Sequence, residues 1–562
     1  MNIIGIDIGN HSTKLYSLSG ADMNIIEGTV GRYIPTAISF DNILKCRYFA
    51  DESMIKLISC STTLTNLSSK LFDYKRTVIF DKNKYVLTGQ FIYIMYINYI
   101  YNHLVEKSRI NTCVIPYPDY YSHTEVNVLT NSYKNSAFNQ SAVSIYYIPH
   151  SIAIGLEYGL YKSYKQGFNT NTNILFIDIG HINISFYLIR YNKLSMTVER
   201  TWVLQNRGAD YLDKMLLNSV VDELPIRDNI TEKVLKKILV NMESIRKNLN
   251  MYEKTILHID ALYDDVDLNI EIKKNEYLSL YDDVLGDFKK IIHVFTNNYD
   301  ISNIELLGGF SYYNIFNDII SEVVDIKIPK IPINHSLKAE ETIARGACLY
   351  GSVVLPVYKN IKYTINYKYP YCICVIIDND KRILFENETL PFNKDIIKRY
   401  DRNKPRLVNK NIYIKIYILE GDTLPAPIYN IKHNASSLID KLSINLIIGL
   451  DLSVIIKSIS YITTTRKKYN ISWDKQSVQM DTYKRYNDIL IKYDMEYKNK
   501  LKLINTFEEY IYNLDSVKKN ELTKIKPGLF DELEKWLMYD ALKLTYRECI
   551  DKIEYFTQIS RC

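Results

Sequence analysis

The chain has 562 residues, and at 47% hydrophobic it carries enough apolar material for about three or four domains with cores of their own. A net charge of +6, from 70 basic and 64 acidic residues without a basic cluster, excludes a nucleic-acid footprint and describes an ordinary solvated surface. Tyr (49) is abundant while Gly (19) and Pro (14) are scarce, the signature of an A+T-biased coding sequence, so surplus Lys and Tyr carry no functional meaning by themselves.

In chain order, an apolar run at Ile3–Ile6 enters Gly-Ile-Asp-Ile-Gly at 5–9, and a polar turn leads to a second strand over Ser12–Ser17. This reads as a β-hairpin. A first strand at Ile3 leaves no room for a signal peptide. Phe91–Tyr101, the longest apolar run, falls short of the ~20 residues of a membrane span and predicts a buried helix. Far downstream the hairpin pattern returns: Asn173–Ile177 enters Ile-Asp-Ile-Gly at 177–180, and a second strand covers Asn183–Ile189. An Asp at a strand end can hold the waters of a Mg²⁺ ion, and a turn Gly lets backbone N–H groups approach phosphate oxygens. One Asp-x-Gly means little; two on matching hairpins suggest a duplicated fold gripping a phosphate between its halves. A third strand, Asn303–Leu307, ends in Gly308-Gly309 before a helical run at Asn314–Val324. Paired glycines allow close backbone approach to a ligand, although an ordinary strand-to-helix turn has the same look.

Residues 1–356 thus alternate strands and helices as an α/β domain does. Composition shifts near Pro356, predicting a linker over 357–370. Short β runs follow in 371–465, among them Tyr371–Ile377, Ile412–Leu419 and Val454–Ile459, and predict a β-sandwich. The stretch 472–562 repeats Leu503, Phe507, Ile511 and Leu514, then Phe530, Leu533 and Leu537, at helical spacing, a C-terminal α-helical bundle broken at Lys526-Pro527-Gly528. The eight cysteines are scattered without zinc spacing, Cys372 and Cys374 are expected to face opposite ways on a strand, and reduced thiols in a cytoplasmic protein are the expectation.

The two phosphate hairpins and the Gly-Gly turn, in this order, resemble the actin, sugar-kinase and heat shock protein 70 superfamily, and the β-sandwich and helical tail narrow this to the heat shock protein 70 group. Supporting stretches are Arg32-Tyr-Ile-Pro-Thr36, Val114-Ile-Pro116, Ala153–Gly159, Glu243–Leu249 and Glu340–Ala347. Asp178-Ile-Gly-His181, Gly9-Asn10 followed by Ser12, Asn505–Tyr512 and Glu534-Lys-Trp-Leu537 resemble the heat shock protein 110 branch, of which this chain looks like a shortened member. The resemblance implies an actin-like, ribonuclease H-like duplicated ATPase domain, a substrate-binding-like β-sandwich and a helical lid.

It also implies a site. Asp7 and Asp178 match the aspartates that organise Mg²⁺ through water, and Lys70 matches the catalytic lysine. Gly9, Asn10, His11, Gly180, His181, Gly208, Glu243, Arg246, Lys247, Gly308, Gly309 and Tyr312 match ATP contacts, with Tyr312 where the family stacks an Arg on adenine. Against turnover, Ile148 stands where ATPase members have a metal-directed Glu, His181 and Ile182 replace loop glycines, and Ser185 replaces an Asp. Losing a metal-side carboxylate slows phosphoryl transfer, so weak or absent ATPase activity is expected. The function implied is a co-chaperone that binds ATP with Mg²⁺ and acts as nucleotide-exchange factor for a conventional heat shock protein 70. The alternatives are an ATP-independent holdase for unfolded polypeptides and a divergent ATP-hydrolysing chaperone. Neither nucleic acid nor membrane is expected as a partner.

Overall fold

The structure, a computed structural model, describes residues 2–40, 47–58, 60, 62–80, 83–105, 110–140, 143–165, 171–224, 230–263, 266–325, 330–355, 363–378, 381–385, 388–400, 411–419, 427–435, 439–463, 465–472, 481–514, 516–541 and 544–559. The chain divides into two compact units, Met1–Ile34 with Ile97–Ser477, and Pro35–Tyr96 with Val478–Cys562.

In the first unit, β1 (Asn2–Ile8) and β2 (Ser12–Ser19) form the first predicted hairpin, followed by β3 (Asp22–Ile26). Two later strands, β4 (Thr112–Tyr117) and β5 (Ser144–Pro149), complete the main path of a sheet in the order β5-β4-β1-β2-β3. Helix α1 (His150–Lys165) leads to β6 (Thr172–Ile179), β7 (Ile184–Asn192) and β8 (Ser195–Leu204). Then come α2 (Ala209–Asp222), α3 (Glu232–Met251), β9 (Asn303–Leu307), α4 (Asn314–Val324), β10 (Ile333–Asn334) and α5 (Thr342–Val354). The second sheet runs β10-β9-β6-β7-β8 and continues into Thr364–Lys368 and Thr389–Leu390.

The duplication is visible in the pairing. β1 is antiparallel to β2 and parallel to β4; β6 is antiparallel to β7 and parallel to β9. The central strands are buried nearly throughout, which explains their unbroken Ile, Leu and Phe content. Helix α3 shows how a local pattern positions the site. Thr231 accepts the Val234 N–H and starts the helix, and Ile238, Met242, Ile245 and Leu249 sink into the core that also holds Phe186, Phe288 and Phe316. Glu243 and Lys247, one turn apart, are thereby left on the outer side.

Thr364–Lys368 falls within the stretch expected to link domains, yet it pairs in parallel with β8, Ser195 opposite Thr364 and Val198 opposite Tyr367. Residues 356–362 lie outside the described residues. Beyond it, Cys372–Ile377, Lys381–Phe385, Asn411–Leu419 and Tyr429–Asn434 make one four-stranded antiparallel sheet. Phe392–Arg399, Ile439–Ile448, Val454–Thr463 and Lys468–Asn470 make another. The expectation for Cys372 and Cys374 is corrected here: residues two apart on a strand share a face, on which Cys374 is fully buried, while Ile373, Val375 and Ile377 are buried on the opposite one.

In the second unit, Ile38–Phe40 pairs with Arg47–Phe49 and Thr62–Leu64. Helices Asp481–Tyr512, Ser516–Ile525, Leu529–Lys535 and Tyr546–Ile559 enclose a core of Ile504, Phe507, Leu529, Leu533, Trp536 and Phe556. Ile511 and Leu514 pack against this core, partly buried. Among the described residues no helix is long and apolar enough to cross a membrane.

Candidate functional site

The two hairpin turns converge on a pair of carboxylates. Asp7 ends β1 directly across from Lys14, whereas Asp178, its counterpart on β6, lies across from Ser185. Register explains the asymmetry, because only the first hairpin carries a cation at that place. Burial pushes the Asp7 carboxyl up, with Lys14 opposing. Burial, and next the charge of Asp7, raises Asp178 to about 7, again against Lys14. Two carboxylates, Asp7 buried and Asp178 partly so, with the second feeling the charge of the first and one ammonium acting on both, favour an added cation. Mg²⁺ is commonly held by one or two carboxylates plus substrate phosphates, so this pair fits it. Among the described residues no group of three or more His, Cys, Asp or Glu side chains makes a metal cage. Ile148 is fully buried at the end of β5, so no carboxylate joins from there.

Backbone closure around the turns depends on two glycines. Gly308 follows β9 with φ +85, and an added Cβ would press on the Ile179 carbonyl and lie 2.5 Å from Asp178 Oδ1. At Gly208 an added Cβ would lie 2.5 Å from the Gly180 carbonyl and 2.6 Å from that of His181. The second turn is tied to the start of α2 by Gly208 N–H to Ile182 O at 2.8 Å, Ala209 N–H to Gly180 O at 3.2 Å and Asp210 N–H to His181 O at 2.8 Å. Gly309 is exposed, with the Glu340 side chain 3.4 Å from where its Cβ would be.

The same two turns carry two imidazoles. The His11 and His181 ring centroids are 4.9 Å apart, inclined at 55°. His11 Nε2 is 3.8 Å from Glu243 and His181 Nε2 is 3.8 Å from Asp210. Burial lowers the His11 pKa, and lowers His181 to about 3. Glu243 is bridged by Lys247 at 2.7 Å; burial alone would raise its pKa, but Lys247 and His11 hold it below the ordinary value.

Other residues that the resemblance assigns to ATP are placed as follows. Arg246 is buried: its Nε donates to Asp213 at 2.8 Å and its guanidinium lies 5.1 Å from the Phe310 ring centre, so its charge is committed to α2. Lys247 and Tyr312 are well exposed, Tyr312 stacking on His335 with centroids 6.4 Å apart. Asn10 sits in the first turn. Lys70 belongs to the second unit, where its ammonium donates to the Thr65 carbonyl at 2.6 Å. Lys14, Asp210, Asp213 and Glu340 were not foreseen. Hairpin pairing alone could have exposed Lys14, since it lies opposite Asp7; Asp210 and Asp213 come from α2 and Glu340 from the approach to α5.

A sequence profile of the Hsp70 protein family matches residues 93–548. Similar curated proteins include "Heat shock protein 110" of Caenorhabditis elegans, 22% identical over 282 residues, covering 48% of this chain and 35% of that protein. "Heat shock 70 kDa protein 16" of Arabidopsis thaliana is 25% identical over 280 residues, with 48% and 35% covered. Human "Heat shock 70 kDa protein 4" is 21% identical over 343 residues, with 58% and 39% covered. The matching stretch therefore spans little more than a third of each of these relatives.

Proposed function

Because this chain belongs to the Hsp70 protein family, on its heat shock protein 110-like side, we propose that it is a co-chaperone that binds ATP with Mg²⁺ and promotes nucleotide exchange on a conventional heat shock protein 70. The observation that carries the reading is the Asp7–Asp178 pair, with a buried Ile148 at the position where the resemblance expects a metal-directed Glu. Such a site retains nucleotide more readily than it cleaves it, since phosphoryl transfer depends on charge compensation and on positioning the attacking water.

When bound, Mg²⁺ supplies positive charge to the phosphates. Asp7 and Asp178 orient its waters, the turns at Gly9 and Gly180 bring backbone N–H groups to phosphate oxygens, and Gly308 and Gly309 leave room for the sugar. Glu243 and Lys247 border the nucleoside, with Tyr312 offering a ring to the base. The partner is a conventional heat shock protein 70, contacted through the helical segment after 472, and the compartment is the cytoplasm. Labelled ADP release from such a chaperone, with and without this protein, tests the reading. Acceleration is expected, and an unchanged release rate with suppressed client aggregation would favour the holdase reading instead.

A further inference from the structure

The resemblance counts His11 and His181 among the ATP contacts but gives their imidazoles no chemical task. Three of the acids around them are each bridged by a cation. Glu243 is bridged to Lys247 at 2.7 Å, Asp210 to Lys214 at 2.5 Å and Asp213 to Arg246 at 2.8 Å. Lys14 and Arg246 also act on His11, and Arg246 on His181; the Glu340 carboxylate acts on His11 in the opposite sense. Lys14, Arg246 and the bridging cations thus offset most of the negative charge around the two imidazoles, and partial burial disfavours their charged forms further. They wait as neutral bases, 4.9 Å apart, on the two turns that close on phosphate.

We propose that His11 and His181 form a proton-linked polyphosphate clamp, each imidazole taking up a proton as the nucleotide's terminal phosphates enter between the two turns. This rests on the nucleotide-binding reading and adds to it a specific ligand feature, a dense anionic charge. A polyphosphate brings several negative charges to within hydrogen-bond reach, which reverses the balance that keeps both rings neutral. Nucleotide binding then consumes protons, and affinity rises as pH falls, by about tenfold per pH unit for each proton taken up. A nucleoside without phosphates gains nothing from acid.

The test is calorimetry of Mg-ATP binding to the full chain at pH 7 in two buffers of different ionisation enthalpy, which counts protons. Parallel titrations use H11N, H181G and the double variant, and a titration with adenosine serves as the uncharged control. The native chain should take up more protons per ATP than the double variant, by between one and two. Its affinity advantage over the double variant should grow as pH falls from 8 to 6. Adenosine should show neither effect. His11 is half exposed and His181 is on a turn, so both variants should fold, and an unchanged apo melting temperature verifies this. Equal proton uptake by native chain and double variant, with ATP still bound, overturns the clamp and leaves the nucleotide site intact. Absence of any ATP binding to the native chain overturns the underlying reading.

Discussion

Asp7 and Lys14 face one another across a hairpin, while Asp178 faces only a serine. A single substitution should separate their duties. Asp7→Asn leaves Lys14 with Asp178 alone and removes one of two carboxylates from the cation, so Mg-ATP affinity should fall by roughly tenfold or more, while ATP without Mg²⁺ should lose little. Equal loss with and without Mg²⁺, measured by calorimetry, would rule out the metal-side role. Asp119 gives a second residue-level test. It accepts the Ser151 N–H at 2.9 Å and the Ser151 hydroxyl at 2.5 Å at the start of α1, yet burial lifts it to about 6. A carboxyl whose folded-state pKa lies above its unfolded value binds its proton more tightly when folded. Its contribution is therefore fully present below about pH 4 and is lost as pH rises through 6, with a slope of at most about 1.4 kcal/mol per unit. Urea denaturation of native chain and Asp119→Asn should show this extra negative slope between pH 4 and 6 only in the native chain, whatever the offset between the two.

Among elements, the helix Asp481–Tyr512 is tied within the second unit by, among other contacts, a cluster around Arg47. Arg47 Nε and NH2 reach Asp494 Oδ2 at 2.9 and 2.6 Å, the Arg47 N–H donates to Oδ1 at 2.9 Å, and NH1 donates to Asn487 at 3.0 Å. Tyr48 and Tyr497 meet edge to face nearby. The Arg47 and Asp494 side chains are 5% and 19% exposed, so the pair counts as buried and its disruption strands a charge. Arg47→Ala should cost about 3 kcal/mol in denaturation and increase hydrogen exchange in Asp481–Tyr512. If the pair behaved as a surface bridge, the loss would stay under about 1 kcal/mol. Arg47→Ala with Asp494→Ala together should cost less than the sum of the two singles. Elements of this kind were predicted from periodicity; their partners were not, because Arg47 and Asp494 are distant in sequence and neither shows a pattern of its own.

For the whole molecule, ATP should stabilise the native state by mass action, by about 2.7 kcal/mol at a hundredfold excess over Kd. A melting temperature indifferent to saturating Mg-ATP would argue that the cleft is vestigial. Truncation after Leu355 retains Asp7, Asp178, Glu243 and Gly308 but removes two structural supports. Strand β8 loses Thr364–Lys368 from its edge, and Arg47 loses Asp494. The shortened chain should bind ATP, melt lower than the full chain and fail to speed ADP release from a conventional heat shock protein 70. Release at the full-length rate would show that the helical segment is dispensable for the partner contact.

Hairpins, the Gly-Gly turn and the apolar stripe of Leu503, Phe507, Ile511 and Leu514 were legible from the amino-acid order, because strand alternation, turn chemistry and helical period are settled within a few residues. Even the Asp7–Lys14 pairing follows from hairpin arithmetic. What only the tertiary structure decided are the encounters between distant segments. It set His11 against His181, turned Arg246 inward to Asp213 and brought Glu340 to Gly309. It also drew Thr364–Lys368 into the second sheet and grouped Asp481–Tyr512 with residues 35–96. Such contacts depend on how whole sheets and helices pack, and the energy that selects them is shared over many buried side chains, leaving no short motif to read.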